Sequence, residues 1–347
     1  MNVRWIRLAV CVLFVLLCSC TMECISVLVK RVVESQQRLD GDSGTRTTAK
    51  RDVSESVVTL RASIQQPNSL ITCGKRPKLQ SAQAKRKTNF ARVVAGKEST
   101  SRWPWQAVLL NKTSKEPFCG GTLISTRHIV TAAHCLHGRN VNDILIVLGE
   151  HDRTKHEGTE QQFDIDCIHV HRRYVNRVPY NNDIAVVKLK TFPDQDVLIT
   201  DYVMPACMPD KNEFQAGDTC YITGWGYTNF VDRLLGKKPY VLNEAKVPIL
   251  SNNKCKQAYG SYISKKMVCA GYLEGERRAD TCEADSGGPL ICEMDGVWKL
   301  IGVTSWGDNS FCNPSPSDAV PGVYTRVDRY RSWIQSRMQI DSCPSRR

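Results

Sequence analysis

Apolar residues after about position 92 occur in short runs that Gly, Asn, Asp and Pro separate. The clearest runs are rich in Val, Ile, Leu and Thr, and they cover residues 106–110, 129–133, 144–148, 184–189 and 300–305. Such runs are typical of an all-β sandwich or barrel. In residues 329–338, by contrast, Tyr330, Trp333, Ile334 and Met338 recur at helical spacing, which predicts a C-terminal helix that packs through this stripe.

The first 92 residues differ from the rest of the chain in composition and in the pattern of apolar residues. Arg4 and Arg7 precede an apolar run at residues 8–18, which has the length of a secretory h-region and is too short to cross a bilayer. We predict a signal peptide over residues 1–20 and therefore a secreted, extracellular protein. The alternative is a signal anchor over residues 8–29, which would place Glu23 near the membrane interface.

Residues 21–92 are rich in Ser, Thr, Gln and charge, and we predict that they form a mostly disordered basic propeptide. Residues 74–92 carry seven basic and no acidic side chains. This segment is a solvated linker, an exposed processing segment, or both. The remaining chain would then comprise a folded domain at residues 93–338 and a tail at residues 339–347.

The charge distribution excludes one class of partner. The chain carries 47 basic and 35 acidic residues, a formal charge of +12. Residues 25–92 hold 14 basic and 5 acidic residues, a net +9, whereas residues 93–347 hold 31 and 29, a net +2. The folded part is nearly balanced, so a nucleic-acid partner is not predicted for it. The leader has the charge to bind an anionic surface or polysaccharide.

The sequence contains sixteen cysteines, of which those at positions 11, 18, 20 and 24 lie in or just after the targeting segment. Twelve remain, from Cys73 to Cys343. An even number in an exported chain predicts a disulfide framework. A metal site built from these cysteines is disfavoured because the folded region has no CxxC or HxxxH pair.

Three short motifs carry candidate chemistry. DSGGP at residues 285–289 presents Ser286 between residues that let a substrate carbonyl approach the backbone, but a serine hydroxyl needs a base to attack at neutral pH. TAAHC at residues 131–135 places His134 at the end of an apolar strand, beside an anchoring cysteine. NDIA at residues 182–185 places Asp183 at the entry of another apolar strand, where an imidazole N–H would satisfy it.

In this order, 49 and 103 residues apart, the motifs resemble those of the trypsin-like serine proteases of the chymotrypsin family. GWG at residues 224–226 and PGVY at residues 321–324 also follow the family order, so the resemblance covers about residues 93–338. It implies an all-β fold of two six-stranded antiparallel barrels with the site between them and a C-terminal α-helix. It implies no cofactor for catalysis.

The resemblance assigns catalytic roles. Ser286 would be the nucleophile, His134 the general base and then acid, and Asp183 its orienter. The N–H groups of Ser286 and Ala284 would form the oxyanion hole. The family normally has glycine at the position of Ala284, and alanine resists a positive-φ backbone by about 1–2 kcal/mol. If the peptide turned away, the lost donor would cost about 10²–10³ in rate.

Specificity follows from the same resemblance. Asp280, six residues before Ser286, occupies the position that forms the floor of the primary pocket, where a carboxylate selects Arg or Lys. Tyr180 would shape the adjoining pocket. The resemblance adds four further substrate-binding residues: Ser305, Gly307, Gly322 and the rim residue Glu283.

Activation is implied as well. RVVAG at residues 92–96 resembles the family's activation site, so cleavage after Arg92 would free the amine of Val93. The new ammonium would pair with buried Asp285 and order the site, because a buried carboxylate needs such a partner. The chain would therefore be a zymogen whose activator has trypsin-like specificity, and protein protease inhibitors would be further partners.

Family positions imply five disulfides: Cys73–Cys207, Cys119–Cys135, Cys220–Cys292, Cys255–Cys269 and Cys282–Cys312. Elimination then leaves a sixth pair, Cys167–Cys343. The first would tether the leader after cleavage. The pair of Cys167 with Cys343 is not a family standard and follows only from the other five.

Residues 150–160 resemble the calcium loop of trypsins. Glu150, Glu157 and Glu160 would supply carboxylates, and Asp152 and Lys155 would supply carbonyls to a structural calcium. The alternative is an empty loop in which basic side chains take the place of the ion. Elsewhere, Asn111 lies in the one acceptable N-glycosylation sequon, at residues 111–113.

Together these features predict a secreted serine endopeptidase zymogen that cleaves after Arg or Lys. The long tethered leader favours limited proteolysis in an extracellular cascade over the alternative of a digestive trypsin. A second alternative is a catalytically impaired homologue that acts as a binding protein, for which Ala284 is the support.

Overall fold

The strands of this computed structural model form two antiparallel sheets. The structure describes residues 73–77, 97–191, 196–227, 232, 234–273, 285–307 and 320–340. The predicted signal peptide and most of the leader lie outside these residues. So do Arg92, Val93, Asp280, Cys282, Glu283, Ala284, Cys312 and Cys343.

The first sheet closes into a barrel. Its strands are β2 Gln106–Asn111, β3 Pro117–Ser125, β4 His128–Thr131, β5 Ile144–Leu148, β6 Gln161–Phe163, β7 Ile165–Val170 and β8 Ala185–Leu189. They lie in the order β6-β5-β2-β3-β4-β8-β7. Only Asp164 separates β6 from β7, so the two act as one bent strand that pairs with β5 at one end and β8 at the other. Counted in this way, the barrel has six strands.

The second sheet closes in a comparable way. Its strands are β1 Lys97–Glu98, β9 Thr219–Gly224, β10 Asn243–Pro248, β11 Met267–Ala270, β12 Pro289–Met294, β13 Val297–Trp306 and β14 Gly322–Arg326. The order is β1-β10-β9-β12-β13-β14-β11, and a bridge between Ile249 and Ala270 joins the ends of β10 and β11. Short β1 adds to the outside of β10. The predicted pair of six-stranded antiparallel barrels is confirmed.

An aromatic cluster fills the space between the barrels. Trp103 and Trp298 meet edge to face with ring centroids 5.1 Å apart, and Trp105 lies 5.8 Å from Trp298. All three side chains are buried and belong to one core that includes strands of both barrels. Burial of these large rings removes much apolar surface from water, and this favours one orientation of the two barrels. The cleft between the barrels is therefore well defined.

Three α-helices lie wholly within the described residues: α1 Ala133–Leu136, α2 Asn252–Tyr259 and α3 Arg331–Met338. Helix α3 confirms the predicted C-terminal helix, with Tyr330 and Ile334 buried against the core. A 3₁₀ turn at Val327–Arg329 precedes it, so the helix begins at Arg331 rather than at residue 329. The sequence did not predict α2, because Cys255 is its one buried side chain and it has no apolar stripe.

Four disulfides join described cysteines: Cys73–Cys207, Cys119–Cys135, Cys220–Cys292 and Cys255–Cys269. Cys167 is also disulfide-bonded, and its partner lies outside the described residues, as Cys343 does. The predicted Cys282–Cys312 pair falls wholly outside them. The first disulfide fastens residues 73–77 to the second barrel, where Gly74 N–H also donates to Pro205 O at 2.8 Å.

A search of the described residues for helices long and apolar enough to cross a membrane finds none.

Candidate active site

His134 lies in the one-turn helix α1, directly after β4. The predicted strand at residues 129–133 is therefore too long, since β4 ends at Thr131 and the chain turns into α1. The disulfide from Cys135 to Cys119 fastens this turn to β3. The imidazole is thus held at the rim of the first barrel by a covalent link to the neighbouring residue.

Asp183 is fully buried and accepts three hydrogen bonds at its carboxylate. His134 donates to it twice, from its backbone N at 2.9 Å and from its ring Nδ1 at 2.7 Å. The third donor is Ser305 Oγ, 2.5 Å from Oδ2. Because Asp183 accepts the hydrogen bond from Nδ1–H, the proton stays on that nitrogen and the other ring nitrogen of His134 is free to accept one.

The backbone around Asp183 is fixed from the opposite side. Thr325 Oγ1 donates to Asp183 O at 2.7 Å, so β14 of the second barrel holds a residue that leads into β8 of the first. Burial together with the negative charge of Asp183 raises the pKa of Tyr174 and of Tyr330. The sequence placed Ser305 among substrate-binding residues and gave Thr325 no role, since no local motif links either hydroxyl to Asp183.

Ser286 lies in a tight turn at residues 285–288, inserted between the barrels. Its carbonyl accepts from Gly120 N at 2.8 Å and lies 3.5 Å from Cys135 Sγ, which places the turn beside His134. Gly287 has φ +78, and a Cβ there would overlap Thr131 Oγ1. Glycine is therefore required for this turn to approach β4, and the structure brings Ser286, His134 and Asp183 to one cleft.

Asp285 precedes the nucleophile candidate and is buried in a glycine cradle. Gly226 N donates to its Oδ1 at 2.8 Å. A Cβ on Gly226 would lie 2.6 Å from the carboxylate carbon, and one on Gly224 would overlap Oδ1. The GWG segment was noted in the sequence without a role, and the structure assigns it one: it makes room for the Asp285 carboxylate.

Aromatic rings form one wall of the cleft. Tyr180 stacks on His134 with ring centroids 5.1 Å apart and an interplanar angle of 17°. Tyr174 lies 6.3 Å from Tyr180 and contacts His137 edge to face. This wall limits the space next to the imidazole, on the side where the sequence predicted an adjoining pocket.

Part of the predicted primary pocket falls within the described residues. Ser305 and Gly307 lie at the end of β13, and Gly322 begins β14, which pairs with it. Tyr259 OH donates to Pro321 O at 2.7 Å, and its ring contacts Trp306 edge to face at 5.0 Å. Asp280, Glu283 and Ala284 lie outside the described residues, so the floor and rim of this pocket stay predictions.

Three carboxylates of the predicted calcium loop converge. Glu150, Glu157 and Glu160 bring ligand oxygens within 4.8 Å of one another. Burial raises the pKa of Glu150, and the charges of Glu160 and Glu157 raise it further. Burial also acts to raise the pKa of Glu160, but backbone N–H donors lower it overall. The cluster thus concentrates negative charge, although Arg102 donates to both oxygens of Glu157 at 2.8 Å.

The two predicted carbonyl ligands in this loop, Asp152 and Lys155, contact each other. Asp152 O accepts from Lys155 N at 2.9 Å. The side chain of Lys155 pairs with the Asp152 carboxylate, and Thr154 Oγ1 donates to that carboxylate at 2.6 Å. The loop is therefore already shaped by internal contacts: Lys155 points to Asp152, whereas His156 Nδ1 lies 3.0 Å from Glu160 in the glutamate cluster.

The described end of the leader packs onto the folded body through Arg76. Its guanidinium lies 3.6 Å above the ring of Trp103, and its Nε donates to Arg102 O at 2.9 Å. Glu244 lies 3.8 Å from Nη2. Burial lowers the pKa of Arg76. Residues 73–77 are thus held both by a disulfide and by a cation–π contact.

Comparison with known proteins agrees with this geometry. The family profile described as Trypsin matches residues 93–334, most of the chain. The chain belongs to the trypsin family. The matched region is a trypsin-like serine endopeptidase domain, and domains of this family act on protein substrates and need no cofactor for catalysis.

Two relatives of this trypsin-family chain are hepatocyte growth factor activator serine proteases, from Canis lupus familiaris and from Mus musculus. The first is 36% identical over 279 residues and the second 36% identical over 278 residues. Each alignment covers 79% of this chain and 40% of the relative. The chain therefore spans well under half the length of these curated relatives.

Proposed function

We propose that this chain is a secreted zymogen whose trypsin-like domain cleaves peptide bonds after Arg or Lys. The observation that carries the proposal is the buried Asp183 bound to His134 Nδ1 at 2.7 Å, with Ser286 in the same cleft. In the proposed reaction, Ser286 attacks the scissile carbonyl while His134 Nε2 takes its proton. His134 then gives the proton to the leaving amine, and water repeats the sequence to release the acyl group.

Asp183 keeps its charge throughout and stabilises the imidazolium that forms on His134. The N–H groups of Ser286 and Ala284 would bind the developing oxyanion, and Asp280 would bind the substrate guanidinium or ammonium by a charge-assisted contact. The intact trio of side chains favours an enzyme over a binding protein. The alternative keeps Ala284 as its one support.

Activation is proposed to follow cleavage after Arg92. The Asp285 carboxylate is buried next to Ser286 and accepts from Gly226 N. The ammonium freed at Val93 would form a charge-assisted hydrogen bond with this carboxylate. The Cys73–Cys207 disulfide and the Arg76 contact support a leader that stays attached, which favours limited proteolysis in a cascade.

The test uses the full chain before and after trypsin cleavage at Arg92, with matched Arg, Lys and Phe peptide amides. Hydrolysis of the Arg and Lys substrates is expected only after cleavage, and Arg92→Gln should stay inactive. Asp280→Ser is expected to lower kcat/KM on the Arg substrate by about 10²–10³, because a desolvated charge pair is lost. Activity on Phe that equals activity on Arg would contradict the assigned pocket.

If the cleaved chain hydrolysed none of the substrates although sequencing confirmed its Val93 N-terminus, the binding-protein alternative would be favoured instead. The Ala284→Gly variant then separates the two. If it restores hydrolysis, the backbone at this position is the fault and the protease assignment stands; if it stays silent, the catalytic proposal is wrong.

A structural calcium is the second proposal for this domain. Glu150, Glu157 and Glu160 would supply carboxylate oxygens, a ligand type that calcium prefers, and Asp152 and Lys155 would supply carbonyls. Arg102 competes for Glu157. The ion would offset the repulsion that raises the pKa of Glu150. Asn111, the last residue of β2, is proposed as the glycosylation site, and Lys112 and Thr113 directly after it are exposed.

Calcium is expected to raise the melting temperature by about 5 °C at a concentration well above Kd. Without calcium, the raised pKa of Glu150 means that this carboxyl contributes stability that is lost as pH rises above its ordinary value of 4.5, whereas Glu160, whose pKa is lowered, acts in the opposite sense. The gain from calcium should therefore be larger at neutral pH than below that value. Glu150→Gln with Glu160→Gln should remove the gain, whereas exposed Glu293→Gln should keep it; no gain in the parent would mean that ion pairs alone close the loop.

A further inference from the structure

A cavity beside α3 has a mainly basic and aromatic lining. It encloses about 530 Å³ and is lined by Val170, His171, Arg172, Arg173, Lys266, Trp333 and Arg337. These residues come from three places in the fold: the turn after β7, the turn before β11, and helix α3. None of the seven is acidic, so four cationic side chains share one concave site.

The cations of this cavity differ from several arginines of the folded body. Arg102, Arg127, Arg326 and Arg331 each pair with an acid. Throughout the described ranges, by contrast, Arg172, Arg173, Lys266 and Arg337 form no ion pair. Since residues 93–347 are nearly neutral as a whole, this cavity is a local concentration of positive charge rather than a reflection of net charge.

The site is partly preorganised. Lys266 Nζ donates to Asn182 Oδ1 at 2.7 Å, and Asn182 Nδ2 donates to Arg173 O at 2.8 Å. The ring of Trp333 lies 5.0 Å from that of His171 and forms a wall. Arg172 and Arg173 are exposed at the mouth. One residue, Asn182, thus ties the recessed lysine to the turn that carries the two arginines.

The electrostatic environment of His171 agrees with this description. Burial lowers its pKa, and the positive charges of Lys266, Arg172 and Arg173 lower it further. A group that meets three cations and no acid reports a positive local potential. An anion that entered the cavity would satisfy donors that the fold leaves without acidic partners.

We propose that this cavity binds a sulfated polysaccharide, with sulfate groups on the arginines and Lys266 and a sugar ring against Trp333. The recessed position of Lys266 and Arg337 favours a flexible polyanion over a membrane, because a flat lipid surface would reach only Arg172 and Arg173. A helical nucleic acid is also too rigid to enter a concave site of this size. The site is independent of the proposed peptidase reaction.

The test measures the Kd of the full chain for a heparin octasaccharide at about 0.15 M salt. The double variant Arg172→Gln with Arg173→Gln is expected to raise Kd about tenfold or more, because the electrostatic attraction of each arginine to the polyanion is lost. The matched control, Lys254→Gln with Lys256→Gln, removes the same charge from exposed positions of α2 and should change Kd less than twofold. Melting temperatures of both variants should match the parent, since the four side chains are exposed.

Three further arms can overturn the proposal. A variant with Lys85→Gln, Arg86→Gln and Lys87→Gln tests the leader: if it alone weakens binding, the polyanion sits on the leader. Phosphatidylserine vesicles and duplex DNA replace the octasaccharide in the other two arms. If either binds with the same dependence on Arg172 and Arg173 while the octasaccharide does not, the cavity serves that ligand and the polysaccharide assignment is wrong.

Discussion

Ser286→Ala is expected to lower kcat of the cleaved chain by about 10⁶, which is the loss that follows when such a nucleophile is removed. The fold should be unaffected, because the contacts of this turn are made by backbone: Gly120 N bonds Ser286 O, and Gly287 N bonds Thr304 O. Residual hydrolysis would come from substrate binding and the oxyanion hole. The measurement is steady-state hydrolysis of an Arg peptide amide.

The matched control is Ser251→Ala. Ser251 Oγ accepts from Lys254 N at 3.3 Å and caps helix α2, so its loss should cost about 1 kcal/mol of stability and leave kcat unchanged. A stoichiometric serine-reactive phosphonate should label the cleaved parent and the control but not Ser286→Ala. Turnover in Ser286→Ala within about 10³ of the parent would place the nucleophile elsewhere, because the oxyanion hole and substrate binding alone leave a rate only about 10³–10⁴ above that in water.

Asp183→Asn is expected to lower kcat by about 10⁴. Three donors, His134 N, His134 Nδ1 and Ser305 Oγ, meet on two carboxylate oxygens. An asparagine offers one acceptor oxygen, and its NH₂ group would face a donor. The imidazole then turns to the tautomer whose Nε2 carries the proton, and it can no longer accept one from Ser286.

The comparison variant for Asp183 is Ser305→Ala. It removes one donor to the carboxylate but keeps the hydrogen bonds from His134, so a loss of about 10–100-fold is expected. Both variants should bind a peptide inhibitor with similar affinity if they act on the reaction rather than on substrate binding. Equal losses in the two variants would mean that Asp183 acts only through its contact with Ser305.

The candidate active site of this chain was visible in the sequence to different degrees. The three motifs are local, and each carries its own cue, such as glycines after Ser286 or a cysteine after His134. GWG was equally visible, but its use was not, because Asp285 lies 59 residues from Gly226 and only the fold brings the carboxylate to that N–H. Helix α2 was not predicted for a different reason: its residues show no periodic apolar pattern, and a disulfide holds it in place.

Two clusters of charged side chains show the same limit of prediction from sequence. Glu150, Glu157 and Glu160 lie within eleven residues, so the loop resemblance was enough to group them. The cavity cations are instead drawn from positions as far apart as Arg172 and Arg337, and nothing in their local sequences relates them. Similarly, Arg102 reaches Glu157 across 55 residues and changes what the loop offers to calcium.

The all-β class, the disulfide chemistry, the family and the three candidate catalytic side chains could be inferred from the sequence alone, because hydrophobic period and short motifs are properties of neighbouring residues. The folded molecule was needed to show that Ser305 and Thr325 hold Asp183, that Gly224 and Gly226 accommodate Asp285, and that four cations share a cavity. These contacts join residues far apart along the chain, and their distances are set by how two closed barrels pack around an aromatic core.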